Sequence, residues 1–277
     1  MFNFCNLVDK MKDLKGKKAL VTGASSGFGA DFSRILAERG ADLIITARRE
    51  EKLNALKTGI EEKYGVKVRV VVMDLSGFDA AEKLYAEVKD ENIDILINNA
   101  GYGMFGLFEN QSAAELNRMV QLDVVSAFAL ANFFVKDFSA RNSGCILNVA
   151  SFAGFNPVPF YAVYGAAKAF LLNFSVAMHT ELKKSGKNVF VTALCPGFTK
   201  TEFVERAGQK SSWFLNRTLA ESYPIAEEAV EAMLKNKPVF VPHFVNRLAV
   251  FFMRFMPRSF FSSAAFSALC ARKSNTE

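Results

Sequence analysis

Histidine and cysteine are scarce in this 277-residue sequence, with two His and four Cys. Cys5, Cys145, Cys195 and Cys270 lie far apart, and no pair has metal-ligand spacing. No metal site is therefore expected. Cys145 and Cys195 sit in apolar runs, where cysteine acts as a small hydrophobe, and so sparse a set suits a reducing compartment. A secretory leader is not expected either. The opening MFNFCNLVDKMKDLKGKK has no apolar stretch of the roughly 7–15 residues such a signal needs. No uninterrupted apolar run approaches the roughly 18 residues of a membrane span, so a soluble, cytoplasmic chain is expected. Repeats, low-complexity tracts and Pro/Ser-rich linkers are absent, which excludes an obvious domain boundary. The core also lacks surplus charge. The net charge is +6, but residues 1–18 carry +3, residues 242–277 carry +4, and residues 19–241 carry −1. A nucleic-acid-binding core needs its positive charge on a folded face, so nucleic acid is excluded as a partner.

What is present is apolar mass. The composition is 51% hydrophobic and 22% charged, enough for a large core, and 28 residues are Phe. Short β-branched runs at 18–22, 41–47, 66–73, 93–98, 144–150, 188–195 and 238–242 predict strands buried on both faces. Helical patterns lie between them, at 27–39, 50–63, 79–91, 112–138, 161–184 and 226–235. Glu50 and Glu51 suit the positive end of a helix, and Gly40, Gly65 and Gly186 suit helix ends. The alternation predicts an α/β, Rossmann-type doubly wound parallel sheet of about seven strands. One domain over 1–277 is expected: a core at 16–242, a lid at 198–225 and a C-terminal helical extension at 243–277.

The first strand runs into Thr22-Gly23-Ala24-Ser25-Ser26-Gly27-Phe28-Gly29, and a helix follows at once. Glycines let a backbone approach a pyrophosphate, and the helix N-terminus offers unpaired N–H groups. Gly23, Ser25, Ser26, Gly27, Phe28 and Gly29 are therefore candidate cofactor contacts. The second strand ends in Ala47-Arg48-Arg49. An acid at that tip accepts from a ribose 2′-hydroxyl, whereas arginine pairs with a 2′-phosphate. Arg48 and Arg49 thus favour NADP(H) over NAD. Asp74 at the end of the third strand, with Leu75 beside it, is placed to receive the adenine; a simple turn aspartate is the alternative.

Thr-Gly-x-x-x-Gly-x-Gly, followed by Asn98-Asn99-Ala100-Gly101 after the fourth strand, resembles the short-chain dehydrogenase/reductase family over residues 16 to about 242. The resemblance implies that the Asn-Asn-Ala-Gly turn supports the sheet and that Asn99, Ala100 and Gly101 line the cofactor cleft.

Tyr164 and Lys168 are four residues apart in a helical stretch and share a face. An ammonium beside a phenol lowers its pKa, and such a tyrosine can exchange a proton with a carbonyl or alcohol. Ser151 ends the fifth strand, where parallel folds place ligands, and its hydroxyl can hold a substrate carbonyl. The Ser, Tyr and Lys spacing matches the family's catalytic set. One position departs from it. Where the family carries Asn in its long fourth helix, holding a water on the path from Lys to solvent, this chain has Asp123, which is expected to take that role. The resemblance also implies that Cys195-Pro196-Gly197-Phe198-Thr199-Lys200-Thr201 grips the nicotinamide, through Pro196, Gly197, Phe198, Thr199 and above all Thr201.

The lid carries Phe198, Phe203, Trp213, Phe214, Leu215 and Tyr223. Phe105, Phe108, Phe152, Phe155, Pro157, Val158 and Phe160 are expected across the cleft. So aromatic a cleft suits an apolar carbonyl or alcohol, of 3-oxoacyl, steroid or aryl ketone type. The expected function is NADP(H)-dependent ketone and secondary-alcohol interconversion. The alternatives are a hydroxysteroid dehydrogenase specifically, or a non-catalytic NADP-binding regulatory protein. A nucleotide-sugar epimerase would show a different glycine spacing. Family members commonly form dimers or tetramers, and Phe128, Phe133, Phe134 and Phe138 suit either such a surface or the core. The tail holds seven Phe between 243 and 272, with Arg247 and Arg254 on one helical face. Packing on a partner subunit or over the substrate mouth is favoured there; a basic helix on an anionic membrane is the alternative.

Overall fold

The computed structural model describes residues 13–199, 202–203, 207 and 220–274. The expected strands all form: β1 (Lys18–Thr22), β2 (Asp42–Ala47), β3 (Val68–Val72), β4 (Ile95–Asn98), β5 (Gly144–Val149), β6 (Val189–Leu194) and β7 (Val239–Phe240). They make one sheet in the order β3-β2-β1-β4-β5-β6-β7. Every neighbouring pair is parallel, with Leu20 of β1 registered on Ile44 of β2 and Leu96 of β4. β7 is shorter than the expected 238–242 because Pro238 and Pro242 bound it, and proline has no N–H to give a ladder. The Pro238 carbonyl still accepts from Ala193 N–H at 3.0 Å.

Helices cover both faces. α1 (Gly27–Glu38), α2 (Glu50–Tyr64) and α7 (Ser222–Leu234) bury Phe32, Ile35, Leu53, Ile60 and Val230 on one side. α3 (Ala80–Val88), α5 (Ala127–Ala140) and α6 (Ala162–Lys184) bury Leu84, Leu130, Phe134, Phe138 and Met178 on the other. Each helix contributes apolar residues three or four apart, which is the spacing that faces a sheet. α7 begins at Ser222 rather than after 225, so Ile225, 2% exposed, belongs to the core and not to a lid.

α4 (Ala113–Val120) continues through a π-helical turn (Gln121–Ser126) into α5. The whole stretch, Ala113–Ala140, is long and apolar enough to cross a membrane by length and composition. It lies instead against the sheet, and its buried face is what makes it apolar. This also divides the four aromatic residues: Phe134 and Phe138 are core, Phe133 is half-buried against Tyr85, and Phe128 is exposed. α8 (Phe244–Met253) and α9 (Arg258–Ser274) follow β7, separated by a turn at Pro257.

After β3 the chain crosses back over β2 and β1 to form β4, so the helices on either side of that point leave in opposite directions. Such a switch opens a crevice outside the carboxyl ends of the strands. A cavity of about 850 Å³ lies there.

Candidate active site

The phosphate turn forms at the end of β1. Gly23 has φ +66°, and a Cβ there would lie 2.8 Å from the Ala100 Cα, so only glycine lets the two turns meet. Asn99 ties them together: its Nδ2 donates to the Thr22 carbonyl at 2.8 Å. Thr22 Oγ1 in turn accepts from the backbone N–H groups of Asn99 and Ala100 at 2.9 and 3.0 Å. Below them Asn98 Nδ2 donates to Asn148 Oδ1, whose amide donates to Ser175, each at 2.9 Å. The Asn-Asn-Ala-Gly turn therefore does support the sheet and line the cleft, and Thr22, Asn148 and Ser175 are supports that spacing did not reveal.

Gly23, Ser25, Ser26, Gly27 and Phe28 line the cavity, as do Arg48, Arg49, Asp74, Leu75, Asn99, Ala100 and Gly101. Gly29 does not; it lies beneath the turn against the Gly23 carbonyl, where a side chain has no room. Arg49 is folded over the turn. Its Nε is 3.1 Å from Ser25 Oγ, its Nη2 2.7 Å from Ser26 Oγ and its Nη1 2.8 Å from Glu202 Oε2. Lys52 reaches the other Glu202 oxygen at 2.7 Å. Arg48 is more open, with its side chain 57% exposed and 3.9 Å from Asp74 Oδ2. For Asp74, burial is the largest single effect and raises its pKa. The Ser76 N–H and hydroxyl together with Arg48 and Arg118 outweigh it and hold the carboxyl below the usual range. Arg118 and Glu202 come from distant parts of the chain, and no local motif marks them.

At the other end of the cavity stand Ser151, Tyr164 and Lys168. Ser151 follows β5 and accepts from Ala153 N–H at 3.1 Å, which fixes its rotamer toward α6. Tyr164 and Lys168 lie one turn apart on α6, both nearly fully buried. Burial pushes the Tyr164 phenol above its ordinary 10.0, against which the Ser151 hydroxyl works; the Asp123 carboxylate adds to the rise. The expected lowering of this phenol by Lys168 is not what the geometry favours. The Lys168 ammonium is engaged elsewhere: Nζ is 3.1 Å from Asp123 Oδ2 and donates to the Val149 carbonyl at 3.0 Å.

Asp123 does not line the cavity. It lies under Gly101, fully buried, and a Cβ on Gly101 would come within 2.8 Å of its Oδ2. The π-helical turn puts it there, because an extra residue in one turn rotates the following side chains. Oδ1 accepts from Tyr102 N–H at 3.0 Å. Oδ2 meets Lys168 as an ion pair without an aligned hydrogen bond. Burial raises the Asp123 carboxyl above the usual carboxylate range, and Lys168 and the Tyr102 N–H draw it back. The carboxylate itself, not only the backbone, thus reaches the lysine.

Pro196, Gly197, Phe198 and Thr199 line the cavity beside Ser151. Thr201, Trp213, Phe214 and Leu215 lie outside the described residues. Phe203 and Ala207 line the substrate end, and the Phe203 ring is 5.1 Å from that of Tyr164. Phe105, Phe152 and Val158 line it too, as expected. Four expected wall residues do not. Phe108 and Pro157 face solvent, Phe155 packs with Leu171 and Val250, and Phe160 is buried between Phe105 and Phe266. Tyr223 is likewise removed from the cleft, donating to Glu38 at 2.8 Å on α1. The missing wall is α9, whose Phe261, Ala265 and Leu269 recur every four residues along the cavity.

A glycine turn at a helix N-terminus joined by one cavity to a Ser-Tyr-Lys set defines a nucleotide-dependent oxidoreductase on a doubly wound sheet. The family profile described as short chain dehydrogenase matches residues 17–212, and the chain belongs to that family, whose dehydrogenases act on CH–OH groups with a nicotinamide dinucleotide. It is similar to the hydroxysteroid dehydrogenase-like protein 1 of Gallus gallus, 32% identical over 83% of this chain and 70% of that protein. It is also similar to the very-long-chain 3-oxoacyl-CoA reductase of Rattus norvegicus, 30% identical over 69% of this chain, a match that spans only 62% of that relative's length. Among solved structures, a short-chain dehydrogenase from Sphingobium yanoikuyae in complex with NADPH superposes with a TM-score of 0.78 at 32% identity, over 85% of this chain and 91% of that one.

Proposed function

We propose that the protein reduces an apolar ketone to a secondary alcohol with NADPH. The bound nicotinamide supplies the hydride. The observation that carries the reading is geometric: Ser151, Tyr164 and Lys168 line the floor of an aromatic cavity that also holds the glycine turn, and burial there favours the protonated phenol of Tyr164. A protonated phenol is the form that donates to a carbonyl oxygen gaining charge. Ser151, beside it, orients that oxygen and shares the charge. Lys168, held between Asp123 and the Val149 carbonyl, keeps a cation close to the phenol, 5.6 Å from its ring centre, without pairing to it. Asp123, where the family carries the Asn that holds a water, positions Lys168 directly through the ion pair.

Arg48, Arg49 and Ser25 support NADPH over NADH, since a 2′-phosphate between them meets two guanidinium groups and a hydroxyl, and β2 ends without an acid. The walls formed by Phe105, Phe152, Phe203 and Phe261 support an apolar substrate of 3-oxoacyl, steroid or aryl type. The relatives' names fall within those classes. The thiols of Cys145 and Cys195 are unpaired, Cys195 buried and Cys145 half-buried, which suits a cytoplasmic location. Phe128 and Phe170, both exposed and 6.1 Å apart across α5 and α6, offer a surface for a dimer of this chain.

The test is cofactor consumption by the purified full chain against 3-oxoacyl thioesters, ketosteroids and aryl ketones. Oxidation of NADPH with at least one class, and slower oxidation of NADH, is expected. Turnover of hydrophilic sugars alone, or preference for NADH, contradicts the reading.

A further inference from the structure

The C-terminal unit is the least explained part of the surface. α8 buries only Val250 among its ten residues. Most of its other apolar side chains face outward: Phe244 is 70% exposed, Val245 74%, and Phe255 just beyond it 72%. Leu248, Phe251 and Phe252 are exposed with them, and Phe260 and Phe266 extend the patch onto α9. Elsewhere among the described residues exposed large apolar side chains are scattered, as on any soluble surface. Here eight fall within 23 residues of chain, and contiguous apolar surface of that kind marks an interaction site.

The charges in the patch say what it meets. Arg247, Arg254 and Arg258 are exposed among the aromatic rings. Between Glu231 and Glu277 the sequence contains no Asp or Glu. A second copy of the chain, docked face to face on this patch, sets arginine against arginine with no acid to relieve them. A layer of anionic headgroups over hydrocarbon satisfies both features at once, because the guanidinium groups pair with phosphates while the rings enter the interface.

The inner side of the same unit bears on the substrate path. Phe261, Ala265 and Leu269 form a wall of the cavity. We infer that α8 and α9 are a docking surface for an anionic lipid bilayer, with the cavity wall on its reverse. The expected packing over the substrate mouth and the membrane alternative are then two faces of one element. The docking does not depend on the proposed reaction, since its measurement needs no turnover.

The experiment is flotation of the full chain with 100 nm vesicles of pure phosphatidylcholine, and of phosphatidylcholine with about a third phosphatidylglycerol. Binding to the anionic vesicles is expected, weakening several-fold between low and high salt because surface charges are screened. The triple variant R247Q/R254Q/R258Q is expected to lose most anionic binding. F244S/F251S/F255S is expected to lose binding to both vesicle types. All six positions are exposed, so unchanged thermal melting checks that the fold is kept. A wild-type chain that stays with the soluble fraction at every composition overturns the inference. So does a dimer, seen by sedimentation, that F244S/F251S/F255S dissociates and vesicles do not compete with.

Discussion

The cavity holds positive charge at two places, and they behave oppositely. At the floor, Lys168 is 5% exposed and committed to Asp123 and a backbone carbonyl. At the rim, Arg48 and Arg49 are partly open to water, and their acidic partners, Asp74 and Glu202, are themselves about a third or more exposed. The same charge is worth different amounts in the two settings. In a buried pair, removing one partner leaves the other with neither water nor counter-charge. On a rim, solvent and salt screen the loss, and the side chain stays free to exchange its partner for a ligand. The floor is built to hold a fixed arrangement, and the rim is built to accept a phosphate.

The largest expected effect lies at the floor. Tyr164→Phe removes the proton and leaves the ring, so the rate of ketone reduction should fall by roughly 10²–10⁴. NADPH affinity, measured by fluorescence titration, should change little. The pH profile sharpens the same point. With the Tyr164 pKa above 10.0, the donor form is complete at neutral pH, so reduction should stay flat until pH passes 10 and then fall. Alcohol oxidation needs the phenolate and should climb over that range. A reduction rate that titrates near pH 7 would mean that another group limits the proton.

Asp123 breaks the comparison most directly. Asp123→Ala strands Lys168 in a buried site and should lower unfolding stability by about 3–5 kcal/mol in urea denaturation. Asp123→Asn should cost less, because its one amide oxygen can still accept from Tyr102 N–H or from Lys168, whereas Ala can do neither. If both variants are as stable as the unsubstituted chain, the carboxylate is not what holds the floor.

Rim substitutions should be milder and selective. Arg48→Ala or Arg49→Ala is expected to raise the NADPH KM about tenfold, equivalent to about 1.4 kcal/mol, with the NADH value unchanged. An equal rise for both cofactors would take the arginines away from the 2′-phosphate. The smallest effect is expected from Glu202→Gln, which frees Arg49 and should improve NADPH binding by less than about fivefold, since an exposed pair contributes no more than about 1 kcal/mol.

Much of this was legible in the chain. The strands are apolar runs and the helices repeat every three to four residues, so each element declares itself locally. The glycine turn and the four-residue spacing of Tyr164 and Lys168 are local too, and they fold as read. The lid boundary and several wall residues are not legible locally. Phe108, Phe155 and Phe160 have the same composition whether they face a ligand, the core or water. Tyr223 sits in the first turn of α7, which carries no local signal of its start.

By itself the sequence determined the sheet, its order of elements, the phosphate turn and the identity of the reacting side chains, because these depend on residues near one another in the chain. Tertiary structure decided how those residues are charged and enclosed. Asp123 meets Lys168 from 45 residues away, Glu202 meets Arg49 from 153, and α9 returns to wall a cavity that begins at residue 23. Electrostatics and burial act through space, so the state of Tyr164 and the two faces of the C-terminal unit exist only once the chain has closed on itself.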